Sequence, residues 1–328
     1  MRLPYLCSSL ALISLACATE PAADTSDSDS AAAGEASEGD GDGDEPTGET
    51  DTEPSTGDGD GDSEPPPVPT QLPSAAGPCP QLSTGIHEYN PAGVETRSVR
   101  VWAGEPAAEG EPGGMLVFYW HGYGSAPDEA PYTLSQPVVD AITGAGGVVV
   151  APISAPDSGE FPWFVVNASD RQDDMILADE IVACALETHN IDPRRIHTTG
   201  MSAGGIQTSA LAMARSRYIA SAASFSGGVF APLEFDDPDN KFAAMIIHGG
   251  DNDIFGGFVN FKNLSTIWFN QLVENGNFTF MCDHGGGHNV PPNYGADVVN
   301  FFFAHAYGTE PSPYAGGLPA ELPSDCSL

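Results

Sequence analysis

The sequence predicts an α/β protein with a mostly parallel central sheet flanked by helices, preceded by a disordered acidic N-terminal arm. From Arg97 onward, short apolar runs rich in Val, Ile and Phe alternate with longer segments of helical spacing, which is typical of βαβ units in a parallel sheet. Before them, residues 19–78 contain 17 acidic residues and no lysine or arginine. A segment of that composition cannot bury enough apolar surface to fold.

The individual elements follow from the period of the apolar residues and from the turn residues between them. Strands are predicted at 98–102, 115–120, 148–153, 196–199, 220–225, 243–248 and 278–282. Helices are predicted at 135–142, 172–189, 204–216, 258–274 and 294–307. Because 41% of the chain is hydrophobic, residues 79–328 can bury a large core as a single catalytic domain.

The charge balance restricts the classes of partner. The chain has 46 Asp and Glu against 10 Lys and Arg, which gives a net charge of −36. Nucleic acids and anionic membranes attract basic surfaces, so electrostatic binding to either is excluded. The GDGDGD tracts at 39–44 and 57–62 lack the flanking helices of an EF-hand. They are therefore expected to be solvated linker and not metal sites.

Residues 1–18 have the pattern of a signal peptide and predict an exported protein. Arg2 precedes an apolar run that ends at Cys17, as in a secretory leader. Two processing routes fit this pattern. Leu15-Ala16-Cys17 resembles a bacterial lipobox, which would anchor the protein to the cell surface through a lipid on Cys17, with residues 19–78 as a tether. Ordinary signal cleavage after Ala18 would instead release a secreted protein.

The cysteine count fits an exported protein. Four cysteines follow the leader, namely Cys79, Cys184, Cys282 and Cys326. An even number in an exported chain predicts two disulfides. Three pairings satisfy this count, and the sequence does not choose between them.

A serine nucleophile is predicted at Ser202. The segment Gly200-Met201-Ser202-Ala203-Gly204 follows a predicted strand and opens a predicted helix, which is the strand-to-helix turn that exposes a catalytic serine. The glycines at both ends remove Cβ clashes, and the helix N-terminus favours developing negative charge. The amide of Ala203, the residue after the nucleophile, is expected to donate to an oxyanion.

The second oxyanion donor is expected in the loop 120–125, which has the sequence WHGYGS and directly follows a predicted strand. In a fold with this kind of nucleophile turn, such a loop supplies the other backbone amide. Tyr123 is the predicted donor, and Gly122 is the alternative and a neighbour of the substrate. His121 is expected to hydrogen-bond within the loop and to take no part in the chemistry.

The predicted general base is His288, in the sequence HGGGHNVP that follows the last predicted strand. It is preferred over His284 because a flexible glycine approach and the following Pro291 can hold its imidazole over the nucleophile. No third ligand lies near the two histidines, so the loop does not predict a metal site.

The orienting acid is expected after the strand at 243–248, where the sequence GGDNDIF offers two carboxylates. Asp253 is the predicted acid, because the apolar pair Ile254-Phe255 that follows would anchor its loop in the core. Asp251 remains the alternative. In either case the carboxylate would hold the imidazole tautomer and stabilise the imidazolium.

The substrate pocket is expected to include Trp163 and Phe164, together with Gly122. The two aromatic residues belong to the sequence FPWF in the loop after the strand at 148–153. Aromatic side chains pack well against an apolar acyl group. The alternative is that this segment packs within the core.

Residues 77–314 resemble the α/β-hydrolase esterases grouped around bacterial polyhydroxybutyrate depolymerase-like proteins and carbohydrate esterases such as feruloyl and acetylxylan esterases. The similar stretches are DPRRIHTTGMSAGG at 192–205, WHG at 120–122 and GHNVP at 287–291, with Asp173-Asp174 opening the long helix. The resemblance implies the α/β-hydrolase fold and ester hydrolysis through an acyl-serine intermediate, without a metal or an organic cofactor.

The sequence therefore predicts an exported serine hydrolase that cleaves carboxylic esters. Its substrate is expected to be a polyester such as polyhydroxybutyrate, or the feruloyl or acetyl esters of a polysaccharide. A peptidase or thioesterase on the same fold and a non-catalytic surface-tethered binding protein are the alternatives. The serine, histidine and acid candidates in their expected contexts favour the enzyme.

A lipid on Cys17 would determine where the protein is found in fractionated cells. We expect Cys17→Ser to move the protein from the membrane fraction to the soluble fraction, because acyl chains would supply most of the membrane affinity of so acidic a chain. Immunoblots of the two fractions measure this. Unchanged fractionation would favour signal cleavage after Ala18.

Overall fold

The computed structural model describes residues 67–108 and 110–328. The predicted signal peptide, Cys17 and most of the predicted linker lie outside the described residues. The strands are β1 Gly85–Tyr89, β2 Arg97–Ala103, β3 Gly114–Trp120, β4 Val148–Pro152, β5 Ile191–Met201, β6 Ser221–Phe225, β7 Ala243–His248, β8 Ile254–Phe255, β9 Val259–Asn260, β10 Thr279–Asp283 and β11 Cys326–Ser327. The helices are α1 Glu129–Thr133, α2 Gln136–Gly144, α3 Asp173–Thr188, α4 Ala203–Ala214, α5 Phe261–Asn275 and α6 Tyr294–Ala304.

Nine of the described strands form one central sheet in the order β1-β2-β4-β3-β5-β6-β7-β10-β11. The six neighbouring strands from β4 to β10 all run parallel. The antiparallel strands are confined to the two edges, where β1 and β2 lie on one side and β11 on the other. The prediction of a mostly parallel sheet is confirmed.

The helices cover both faces of the sheet. Along β3, alternate side chains point to opposite faces, as the pleat of a strand requires. Phe118 packs with the buried residues of α3 and α4, whereas Val117 and Tyr119 pack with those of α2 and α6. All residues of β3, β4, β6 and β7 are buried, which explains their continuous apolar sequence.

The helix predicted at 258–274 begins later than the sequence indicated. Residues 254–260 form a small antiparallel hairpin from β8 and β9, closed by Gly256 and Gly257, which both have positive φ. The helix α5 then starts at Phe261, where the Asn260 side chain accepts a hydrogen bond from the Asn263 amide at 2.9 Å. Asparagine is a favoured residue at such a cap, and this cap fixes the start of the helix.

Further differences concern three elements that were not predicted and one strand that is longer than predicted. The unpredicted elements are the edge strands β1 and β11 and the one-turn helix α1, whose short sequences show no clear repeat of apolar residues. Strand β5 begins at Ile191, five residues before the predicted start. Its first part pairs with Gly114 through an irregular register, and the charged residues there conceal the strand pattern.

The contacts of the folded domain begin before residue 79. Pro69 is buried, and the Ala76 amide donates to Glu180 Oε2 at 2.9 Å. Two disulfides, Cys79–Cys184 and Cys282–Cys326, are present among the described residues. They indicate an oxidising environment. None of the helices in the described ranges is long and apolar enough to cross a membrane.

Removing the Cys79–Cys184 disulfide tests its contribution to stability. The bond closes a loop with a sequence separation of 105, so Cys79→Ala with Cys184→Ala is expected to lower the free energy of unfolding by about 2–5 kcal/mol. Equilibrium urea unfolding measures this. Cys282→Ala with Cys326→Ala is the matched control, and it should cost less because its separation is only 44. Unchanged urea midpoints for the first variant would contradict the prediction.

Candidate active site

Ser202 lies at a sharp turn between β5 and α4. Its backbone has φ 59° and ψ −118°, a conformation that an L-residue adopts only when its surroundings enforce it. The backbone at the end of β3 lies very close to this turn, since a Cβ on Gly204 would lie 1.7 Å from the Trp120 carbonyl oxygen. A Cβ on Gly200 would lie 2.4 Å from the same oxygen. The two glycines thus allow the end of β3 to lie directly against the turn that carries Ser202, which is 8% exposed.

The structure brings Ser202 and His288 together. His288 Nε2 is 2.9 Å from Ser202 Oγ, and Nδ1 on the other side of the ring is 2.7 Å from Asp253 Oδ1. The Phe261 ring stacks on the imidazole with a centroid distance of 4.5 Å and an interplanar angle of 14°. The imidazole therefore has a fixed plane, with one nitrogen toward the serine and one toward the carboxylate.

Asp253 is completely buried, and protein groups bond to both of its oxygens. Oδ1 faces His288, while Oδ2 accepts from the Ser226 hydroxyl and from the Gly249 amide, each at 2.8 Å. A buried carboxylate needs such partners because it has lost its hydration. Ser226 was not among the sequence candidates, although its position directly after β6 at the same sheet edge was a signal that could have identified it.

Asp251, the alternative acid, lies away from His288. Its side chain is 88% exposed and forms an ion pair with Lys262 at 2.6 Å, which lowers the pKa of Asp251. Of the two carboxylates in this loop, the structure places only Asp253 beside the imidazole.

The loops that carry the acid and the base contact each other through their backbones. The Gly287 amide donates to the Gly249 carbonyl at 2.9 Å, and a Cβ on Gly249 would lie 1.9 Å from the Gly287 carbonyl oxygen. The His284 ring lies outside the arrangement, because its Nδ1 accepts from the Gly286 amide at 3.2 Å and its centroid is 6.4 Å from that of Tyr294. Burial lowers the pKa of the His284 ring.

The predicted oxyanion loop lies directly beside the nucleophile. A Cβ on Gly122 would lie 3.6 Å from Ser202 Cβ. The Gly122 amide itself is occupied, since it donates to Glu129 Oε2 at 2.6 Å, and it is therefore not a free donor. The amides of Tyr123 and Ala203 have no acceptor among the residues that the structure describes, so both can donate to an oxyanion.

His121 lies within the loop as expected. It is buried, and its Nδ1 is 2.9 Å from the Gly122 carbonyl oxygen. Burial lowers the pKa of His121. Glu129, by contrast, was not identified from the sequence. Only the folded structure shows that α1 places the Glu129 carboxylate against the Gly122 amide of the loop at 120–125.

An apolar pocket of about 190 Å³ opens at Ser202. Six aromatic side chains form most of its wall, and small and aliphatic residues complete it. The lining residues are Tyr123, Phe161, Val166, Ser202, Ala203, Ile206, Phe230, Phe255, Phe258, Val259 and Phe261.

Trp163 and Phe164 do not line this pocket, which corrects the sequence expectation. Trp163 is fully buried, and its indole Nε1 donates to the His121 carbonyl at 2.9 Å. The Phe164 amide donates to the buried Asp174 carboxylate at 2.9 Å. The Trp163 side chain packs in the core. The Phe164 ring lines a separate cavity of about 180 Å³ and lies 4.1 Å from the Arg171 guanidinium. Of the FPWF segment, only Phe161 reaches the pocket.

No cluster of three or more potential metal ligands occurs within residues 67–108 and 110–328. The polar groups beside Ser202 are the His288 imidazole and the amides of Tyr123 and Ala203, which can act in proton transfer and oxyanion binding.

Comparisons with known proteins identify the fold. No protein-family model matches the chain, and no curated protein is significantly similar to it. Among solved structures, native pOPH superposes with a TM-score of 0.60 at 17% identity, over 76% of this chain and 96% of that one. Native sOPH gives 0.59 at 16% identity, over 78% and 96%. A thermostable esterase gives 0.53 at 17% identity, over 67% and 62%.

The parallel sheet, the strand-to-helix serine turn and these similarities define the α/β-hydrolase fold. This confirms the fold that the sequence predicted.

The two aspartates of the acid loop can be separated by experiment. Asp253→Asn is expected to slow the reaction of Ser202 with a fluorophosphonate on the order of a thousandfold, because an amide can hold the wrong imidazole tautomer. Asp251→Asn is the matched control and should react like the wild type. Labelling kinetics, with thermal melting to verify folding, measure both. Loss of reactivity in the Asp251 variant alone would overturn the assignment.

Proposed function

We propose that the protein is an exported serine hydrolase that cleaves carboxylic esters through an acyl-enzyme. The observation that carries this proposal is the continuous hydrogen-bonded chain from Ser202 Oγ through His288 to Asp253, with distances of 2.9 and 2.7 Å. A nucleophile, a base and an orienting acid in this order are the requirements of acyl transfer. Two disulfides among the described residues and the predicted leader support export.

Acylation begins when His288 Nε2 takes the proton of the Ser202 hydroxyl. The oxygen attacks the ester carbonyl, and Asp253 stabilises the imidazolium that forms. As the tetrahedral intermediate collapses, the bond from the carbonyl carbon to the alcohol oxygen breaks. His288 then returns its proton to that oxygen, and the alcohol leaves.

The negative charge of the intermediate lies on the former carbonyl oxygen. We assign its two donors to the amides of Tyr123 and Ala203, which have no other acceptor among the described residues. Such preorganised donors contribute a large share of the catalysis. Deacylation repeats the same steps with water as nucleophile and releases the acid.

The pocket supports an ester with an apolar acyl group. A cavity of roughly 150 Å³ is enough for a benzene ring, so the pocket of about 190 Å³ beside Ser202 has room for a ring or a short aliphatic chain. Phe230 and Phe258 at its rim are 55% and 75% exposed. Exposed apolar residues around an open site favour an extended or polymeric ester, such as a polyester or an aromatic ester of a polysaccharide.

A serine-directed fluorophosphonate label and a series of soluble p-nitrophenyl esters test the proposal. We expect the purified wild-type protein to be labelled and to hydrolyse the butyrate and benzoate esters. Ser202→Ala should lose the label, and its kcat/KM should fall about a thousandfold or more. Ser169→Ala, which keeps the reactive serine, is the control.

Three outcomes would overturn the proposal. Labelling of both wild type and Ser202→Ala would remove the nucleophile assignment, and an unlabelled, inactive wild type would favour a binding protein. Preferential cleavage of a matched thioester or peptide amide would replace esterase by thioesterase or peptidase on the same site.

A further inference from the structure

One peptide group beside the nucleophile is held at both of its polar atoms. In the peptide that joins His121 to Gly122, the carbonyl oxygen accepts from Trp163 Nε1 at 2.9 Å. The N–H of the same peptide donates to Glu129 Oε2 at 2.6 Å. The oxygen and the hydrogen of a trans peptide point in opposite directions, so these two contacts fix the orientation of the peptide plane.

The fixed peptide leads directly into the turn that carries Tyr123. The Ser125 amide donates to the Gly122 carbonyl at 3.3 Å, and Gly124 has φ +72°, as the third residue of a turn with a left-handed position requires. Tyr123 is the second residue of this turn. The direction of its amide therefore depends on the plane of the preceding peptides and on the closure of the turn.

Glu129 is held firmly in place. It begins α1, whose last residue Thr133 is bonded to the hydroxyl of the buried Tyr119 in β3 at 2.6 Å. Burial raises the pKa of Glu129, and the Gly122 amide and the nearby Ser125 hydroxyl oppose this effect. A carboxyl group placed in such surroundings has lost hydration and gained the loop amide in exchange.

We propose that Glu129 is a positioning residue of the oxyanion site, which acts by holding the Gly122 amide so that the Tyr123 amide faces the reacting carbonyl. The inference rests on the proposed esterase function and deepens it. Glu129 does not touch the substrate itself. Its contact also explains why Gly122, the other candidate donor in the loop, is unable to serve the oxyanion.

The function of Glu129 can be tested by changing its acceptor. Glu129→Ala removes the acceptor, whereas Glu129→Gln keeps a carbonyl oxygen that can accept from Gly122. Asp128→Ala is the matched control, because this neighbouring carboxylate is exposed and makes only a 3.7 Å pair with Arg100. Steady-state kinetics on p-nitrophenyl butyrate and inhibition by a butyl trifluoromethyl ketone are measured for the full-length protein and each variant.

We expect Glu129→Ala to lower kcat by between about tenfold and about a hundredfold with little change in KM, as a misdirected oxyanion donor would. Its affinity for the trifluoromethyl ketone, which forms a tetrahedral oxyanion on the serine, should fall by a similar factor. Glu129→Gln should recover most of the wild-type kcat, and Asp128→Ala should match the wild type.

The outcomes separate this inference from the function on which it rests. An active wild type whose Glu129→Ala variant keeps its kcat would overturn the positioning role alone. So would a Glu129→Gln variant as impaired as Glu129→Ala, or a loss confined to KM or to melting temperature. A wild type without esterase activity would overturn the proposed function and the inference together.

Discussion

The arrangement around Ser202 depends on one buried carboxylate. Asp253 has no exposed surface, and an unpartnered charge in that position would be prohibitively costly. Its partners come from three separate loops, since Ser226 follows β6, Gly249 follows β7 and His288 follows β10. The hydrogen bonds to the Asp253 carboxylate thus bring the carboxyl ends of three parallel strands together. The imidazole that reaches Ser202 is held in place by the same requirement.

The glycines near the site serve this convergence. The loops of Gly249 and Gly287 contact backbone to backbone, and the turn at Gly204 contacts the end of β3 in the same way. A Cβ on Gly249 or on Gly204 would lie 1.9 or 1.7 Å from a carbonyl oxygen and would force the two backbones apart. The loops lie at the carboxyl ends of the parallel strands, and because glycine has no side chain, these loops can approach closely enough for Ser202, His288 and Asp253 to meet.

The sequence was most informative where a motif coincides with a local structure. Ser202 could be predicted because strand, glycine turn and helix are contiguous in the chain, and the parallel sheet could be predicted from the apolar runs. The choice between Asp251 and Asp253 rested on a weaker signal, because both residues occupy the same loop and only long-range contacts distinguish them. Glu129 left no local pattern, since its contact with the loop at 120–125 arises from chain segments that meet only after folding. The only signal for Ser226 was its position directly after β6.

Two aromatic residues were assigned to the pocket incorrectly. Trp163 and Phe164 were expected at the substrate because aromatic side chains pack well against an apolar acyl group. Their N–H groups, however, have acceptors in the core, at His121 and Asp174. Trp163 donates to the His121 carbonyl in the loop at 120–125 and does not line the pocket. Four of the eleven residues that line the pocket come from the β8–β9 hairpin and from Phe230. Phe255 was expected to anchor its loop in the core, and Phe258 and Val259 were expected to lie in a helix.

The hairpin between Asp253 and α5 separates part of the pocket wall from the loop that carries the buried carboxylate. Its two strands pair only with each other, and the Phe261 amide closes the segment by donating to the Asp253 carbonyl at 2.9 Å. This hydrogen bond therefore closes the base of the hairpin, at the end opposite to its tip at Gly256 and Gly257. Insertions or replacements at the tip would remodel the rim formed by Phe255 and Phe258 while the acid stays in register. The aromatic rim of the pocket and the Asp253 carboxylate thus lie on one short segment whose two parts are anchored separately.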